Sequence, residues 1–266
     1  MKERKIKAIS IDLDGTLLNS KSRVSNKNRD AIQNCMDENI KIIISSAKTA
    51  GYIRALMEDL SLRDPQICSG GAIIIDKGPK PLYELKICPS YARQIIEYAR
   101  DFQEGTTIAC SNASLYYENW QNSLEHILKS GEKLVYTEDL TAKEILENAL
   151  MFSITIEQNS HLEIFLKKKF NSRLQITRGG KFFLTILNEQ ASKANALKSI
   201  LSMFNLASEN VMAIGDSQND METLQYAGTS IAMGNAIEEL KKIADHIVKD
   251  HDHDGVADAI YDYVLA

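Results

Sequence analysis

The chain has 266 residues, 44% hydrophobic and 25% charged, which is enough for one large domain or two modest ones and unlike a disordered segment. Its formal net charge of −5 argues against broad nucleic-acid binding, although a few well-placed cations suffice to hold a phosphate. No apolar run reaches the ~18 residues of a membrane span. The charged start Met1-Lys2-Glu3-Arg4-Lys5 leads into a short strand rather than a signal-peptide core, so a cytoplasmic protein without a membrane partner is expected. Cys35, Cys68, Cys88 and Cys110 form no CxxC pair and read as buried free thiols in a reducing compartment, not as a zinc or redox motif.

Short β-branched runs alternate with amphipathic stretches, which predicts an α/β fold: a Rossmann-like, mostly parallel sheet with crossover helices. Residues 6–11 predict a first strand that stops at Asp12, and residues 40–44 a second that stops at Ser45-Ser46. From about residue 83 the pattern changes. Residues 91–99 predict a helix, 114–117 and 151–156 are strand-like, and Thr141-Ala142-Lys143-Glu144 has the capping-box spacing that opens another helix. This middle segment reads as an α/β domain inserted into the sheet domain, with residues 1–82 and 187–266 as the core and 83–186 as the insertion. Ala194, Leu197, Ile200, Leu201 and Phe204 then recur at helical spacing, which puts Ser192 and Lys193 at a helix start. Residues 211–214 predict a strand that stops at Gly215-Asp216. Three strands thus deliver polar residues at their C-terminal ends, where open α/β sheets place their ligands.

At the end of the first strand Asp12 and Asp14 lie two apart, so both face one side, and Gly15 permits a tight turn. Two close carboxylates repel unless a hard cation with oxygen ligands compensates them. Gly215-Asp216-Ser217-Gln218-Asn219-Asp220 adds further oxygen ligands at the same sheet edge. Such a site needs positive charge before it can hold phosphate. Lys193 supplies it, since a lysine is unfavourable beside a helix N-terminus unless an anion is near. Ser46 offers a hydroxyl.

Asp12-Leu13-Asp14-Gly15-Thr16, Ser46, Lys193 before a helix and the 215–220 segment, in this order, resemble the haloacid dehalogenase superfamily of phosphohydrolases, most closely its Cof-like branch of sugar-phosphate phosphatases. The resemblance covers both ends of the chain, with the insertion where that branch carries its α/β cap. It implies that Asp12 is the nucleophile and Asp14 the general acid/base. It also implies that Asp12, the carbonyl of Asp14 and Asp216 bind Mg²⁺, with Asp220 an outer-shell acid. Ser46, Lys193 and Asn219, with the amides near Leu13 and Ala47, would clamp the phosphate of a small phosphorylated metabolite. Asp254-Gly255-Val256 resembles the family's closing loop. A monomer is the default expectation.

The sequence departs from that pattern in three places. Ser46-Ala47-Lys48 replaces Thr-Gly-Arg, Gly70-Gly71-Ala72 replaces Asn-Gly-Ala, and Ala194 follows the lysine in place of glycine. These changes bear on substrate and efficiency rather than on the catalytic groups. Asp250 to Asp254 imitates the start of a calcium loop, but its twelfth position is Tyr261, not the required bidentate Glu. His251 and His253 read as surface residues. A phosphomutase and a non-catalytic phosphometabolite sensor are the rival readings on the same fold.

Overall fold

The computed structural model describes residues 6–178 and 182–266. The first stretch holds β1 (Ala8–Ile11), α1 (Asn26–Asp37), β2 (Lys41–Ile44), α2 (Ala50–Asp59), β3 (Gln66–Cys68), β4 (Ile73–Ile75) and β5 (Tyr83–Glu84). The middle holds α3 (Pro89–Asp101), β6 (Thr107–Cys110), β7 (Leu115–Tyr117), α4 (Ser123–Lys129), β8 (Leu134–Tyr136) and α5 (Lys143–Asn148), then β9 (Met151–Thr155), α6 (His161–Phe170), β10 (Leu174–Arg178) and β11 (Phe183–Asn188). The last stretch holds α7 (Lys193–Met203), β12 (Val211–Gly215), α8 (Met221–Tyr226), β13 (Thr229–Ala232), α9 (Glu238–Ile243), β14 (His246–Ile247) and α10 (Gly255–Tyr263).

The expected parallel sheet is present, in the order β14-β13-β12-β1-β2. Its central strands are buried throughout, which is why they read as unbroken apolar runs rather than as alternation. β1 lies between β2 and β12, so successive crossovers leave it in opposite directions. That makes a topological switch point at the C-terminal ends of β1 and β12. Beyond β2, buried side chains stand in for a ladder: Ile42 N–H donates to Asp64 Oδ2 (3.1 Å), and Ile44 N–H to Gln66 Oε1 (2.6 Å). Gln66 Nε2 returns a bond to the Ile42 carbonyl at 3.0 Å, so the sheet edge leaves no orphan there. β3, β4 and β5 form a small antiparallel sheet beside it.

A second sheet, β10-β11-β9-β6-β7-β8, is antiparallel except for the β7–β8 pair. It has its own core, in which Phe152, Ile154 and Ile186 meet Ile95, Ile96, Leu162 and Leu166 from α3 and α6. α5 starts differently from the expectation. Ala142 is its N-cap and makes no side-chain cap, because the Thr141 hydroxyl instead donates to the Asp139 carboxylate at 2.7 Å. Cys35, Cys68 and Cys110 are buried as expected, but Cys88 is exposed: it precedes α3 at a surface turn, with its thiol 3.2 Å from Ser90 Oγ. No helix among the described residues is long and apolar enough to cross a membrane.

Candidate active site

The switch point fixes Asp12. The β1–β12 register pairs Ile11 with Ile214, and the Asp12 N–H continues the ladder onto the Ile214 carbonyl at 3.0 Å. The carboxyl is therefore held rigidly, 6% exposed, at the sheet's C-terminal edge. Burial, then the charges of Asp220 and Asp216, push it well above the usual carboxylate range, against the pull of Lys193.

Lys193 is the first residue of α7. Ser192 caps that helix by accepting the Asn195 N–H at 3.1 Å, so the lysine side chain is free to turn into the sheet edge. Its ammonium, 3% exposed, donates to Asp12 Oδ1 (2.5 Å), Asp220 Oδ1 (2.8 Å) and Asn219 Oδ1 (3.2 Å). Burial lowers the affinity of this ammonium for its proton, but the charges of Asp12 and Asp220 reverse that and hold it well above its ordinary value. Two of the chain's own carboxylates thus lie against the lysine at this helix start.

The turn after β12 is built around Asp220. Its Oδ2 accepts from the N–H groups of Asp216 (3.2 Å) and Ser217 (3.1 Å) and from Ser217 Oγ (3.2 Å). With Oδ1 on Lys193, both Asp220 oxygens are committed to protein groups. Asp216 is freer: one oxygen accepts from Thr16 Oγ1 at 3.2 Å, and Asn219 beside it is exposed. Burial and Asp220 push Asp216 up to about 6. Gly15, at φ +81°, lets the β1 turn close over Asp216, since a Cβ there would lie 2.5 Å from Asp216 Oδ2.

The remaining expected residues surround this group. Asp14 follows Asp12 around the turn with its side chain 57% exposed, and its carboxylate lies 3.4 Å from the ammonium of the largely buried Lys48. Ser46 is buried at the end of β2, and its Oγ accepts the Lys48 N–H at 3.1 Å. The Leu13 and Ala47 amides find no acceptor among the described residues and stay available to a ligand. Gly70 N–H donates to the Ser46 carbonyl at 3.0 Å. A Cβ at Gly70 would lie 3.1 Å from Leu187 Cδ1, so β11 fills the space that an asparagine side chain would need. Ala194 is buried and packs inward.

Three partners were not singled out from the sequence: Thr16 on Asp216, Ser217 on Asp220, and Asn235, whose Nδ2 donates to the Gly15 carbonyl at 2.8 Å. The first two lie inside the quoted motifs and follow from them once the turns are known, whereas Asn235 carries no local signal. The loop at 250–254 does approach the site, through His251 N–H to Asn235 Oδ1 (3.1 Å) and Ser20 N–H to Asp252 Oδ1 (2.8 Å). His253 is mostly exposed and bonded to Asp250 at 2.6 Å, while His251 is only partly exposed.

Oxygens of Asp12, Asp216 and Asp220 all lie within 4.8 Å of one another. Three carboxylates lie about one ammonium that is bonded to two of them, Asp12 and Asp220, and Asp12 and Asp216 keep raised proton affinities despite it. The group is therefore short of positive charge and suits a hard divalent cation with oxygen ligands.

The haloacid dehalogenase-like hydrolase family model matches residues 9–260. The chain is 32% identical, over 98% of its length and 96% of the relative's, to a Bacillus subtilis protein named 5-amino-6-(5-phospho-D-ribitylamino)uracil phosphatase YcsE. A second B. subtilis protein of the same printed activity, YwtE, is 28% identical over 95% of this chain and 96% of its own. Among solved structures, a haloacid dehalogenase-like hydrolase from Bacteroides thetaiotaomicron superposes with a TM-score of 0.87 at 27% identity, covering 97% of this chain and 99% of that one. The chain belongs to the haloacid dehalogenase-like hydrolases, in their Cof-like branch, as a phosphatase.

Proposed function

We propose that the chain hydrolyses phosphomonoesters of small metabolites, sugar and sugar-alcohol phosphates foremost, through an aspartyl phosphate on Asp12 and with Mg²⁺ as cofactor. The observation that carries this is the buried Asp12 carboxylate, held 2.5 Å from the Lys193 ammonium at the switch point and joined there by Asp216 and Asp220. The substrate preference rests on the ribityl phosphate in the names of the two B. subtilis relatives.

In this reading Asp12 attacks phosphorus and the P–O bond to the alcohol breaks, which splits one difficult displacement into two easier ones. Lys193, Ser46 and Asn219, with the unpaired amides of Leu13 and Ala47, hold the equatorial oxygens. Asp14, the exposed acid on the open side of the turn, gives its proton to the leaving oxygen and then takes one from the water that cleaves the acyl phosphate. Asp12, the Asp14 carbonyl and Asp216 are the residues that would hold Mg²⁺. When bound, the ion supplies the positive charge that keeps Asp12 ionised beside an anionic substrate. Asp220, with both oxygens committed, orients Lys193 and the 215–220 turn. The six-stranded sheet and its helices, residues 83–186, serve as the cap that shuts out bulk water and selects the organic group. Free cysteines suit a reducing, cytoplasmic compartment, and a monomer is the default reading.

Phosphate release from a panel of sugar phosphates, ribityl phosphates, nucleotides and pyridoxal phosphate tests the proposal. Turnover lost with EDTA and in Asp12→Asn supports it. Turnover that survives Asp12→Asn overturns it, and a wild type that returns phosphoryl to the sugar favours the mutase.

A further inference from the structure

The inserted domain touches the core at a buried carboxylate that the reaction does not use. Glu132, in the turn between α4 and β8, is 6% exposed. Its Oε1 accepts the N–H of Thr49 at 3.0 Å, and its Oε2 accepts the Thr49 hydroxyl at 2.6 Å. Thr49 is the N-cap of α2, and its own Oγ1 accepts the Tyr52 N–H at 3.2 Å. One residue further on, the Gly51 N–H donates to the Asn112 carbonyl of the insertion at 3.2 Å. The first turn of a core helix thus has donors satisfied by the other domain, and a carboxylate sits where the helix dipole favours one.

The segment just before that cap is Ser46-Ala47-Lys48. The Glu132 contact therefore fixes the end of the loop that carries Lys48, and Lys48 is the group 3.4 Å from Asp14. A second route runs in parallel. Gly131, next to Glu132, packs on Tyr52, since a Cβ there would sit 3.4 Å from Tyr52 Cε2, and the Lys48 ammonium lies 5.3 Å from the centre of that ring. Resting on the reading of Asp14 as the acid, we propose that Glu132 is a positioning residue for it. By holding the Thr49 cap of α2 across the domain boundary it sets Lys48, and through Lys48 the Asp14 carboxyl, so the acid is in place only when the insertion is seated. Seating would then couple substrate enclosure to proton delivery.

The test separates acid positioning from mere docking by leaving-group basicity. Phenyl phosphate and p-nitrophenyl phosphate have nearly the same shape, but only the phenolate of the first needs a proton as the P–O bond breaks. kcat/KM, which reports the steps up to loss of that leaving group, is compared for wild type, Glu132→Gln, Glu132→Ala and Lys48→Met, with Asp12→Asn as the blank. The glutamine keeps one acceptor for Thr49, so a folded variant remains even if the alanine is unstable, and a thermal melt checks each. The expected result is a loss on phenyl phosphate about tenfold greater than on p-nitrophenyl phosphate in the Glu132 variants, reproduced by Lys48→Met. Equal losses on both esters, or none, overturn the inference while leaving the phosphatase reading intact. A wild type no more active than Asp12→Asn on either ester overturns both.

Discussion

Asp216 is the group whose electrostatics make the sharpest prediction. Burial and the charge of Asp220 push its carboxyl up to about 6, against an ordinary 3.8. The folded chain therefore binds this proton more tightly than the unfolded chain does, and the ionised carboxylate opposes folding. The penalty is absent below pH 3.8, grows through the interval and is complete above about pH 6. That interval is worth at most ~3 kcal/mol. Asp216→Asn removes the charge and keeps an oxygen for Thr16 Oγ1. In EDTA near pH 7.5 the variant should melt about 5–10 °C above wild type, and the gap should close towards pH 4. Added Mg²⁺ should raise the wild-type melting temperature, more near pH 7.5 than near pH 5, and leave the variant unmoved. Scanning fluorimetry across this range reads all three. A variant no more stable than wild type at neutral pH without metal would refute the account of a carboxylate cluster short of positive charge.

Lys193→Met leaves Asp12 and Asp220 buried without the ammonium at 2.5 and 2.8 Å. It should cost ~3–5 kcal/mol in urea unfolding at neutral pH, recover part of that on acidification as the acids protonate, and abolish turnover. Gly15→Ala puts a methyl 2.5 Å from Asp216 Oδ2 at φ +81°. A loss of ~1–3 kcal/mol and weaker Mg²⁺ stabilisation are expected, measured by melting against added Mg²⁺. Gly70→Asn meets Leu187 at 3.1 Å and should destabilise by ~1–3 kcal/mol, with Leu187→Ala restoring part of it in a double-mutant cycle.

The end of the fold that carries the candidate site was legible because its signals are local. Short β-branched runs such as 41–44 favour buried strands over helices by length and residue type, and each ended on a polar residue that the parallel sheet then brought to one edge. Lys193 was legible as a misplaced charge at a helix start, but its two ion pairs to Asp12 and Asp220 were not. Contacts between distant segments were not legible. Thr49 and Glu132 are 83 positions apart, and nothing in Ser130-Gly131-Glu132 marks the glutamate as buried. The capping-box spacing at Thr141 misled because Asp139, two residues earlier, takes the hydroxyl first. Cys88 reads like its buried counterparts by residue type alone, and only its place before α3 exposes it. Gly70 sits at a φ of +66° and its missing side chain leaves room for Leu187, a contact that no local pattern reveals.

The most direct test of the central claim is to trap the intermediate. Asp14→Asn, which slows water attack on the acyl phosphate, is mixed with p-nitrophenyl phosphate and Mg²⁺, quenched in acid, digested and mapped by mass spectrometry. The account predicts one phosphoryl group on the peptide containing Asp12, and none in Asp12→Asn. Release of p-nitrophenolate with no adduct on that peptide, or with the adduct on another residue, would contradict it.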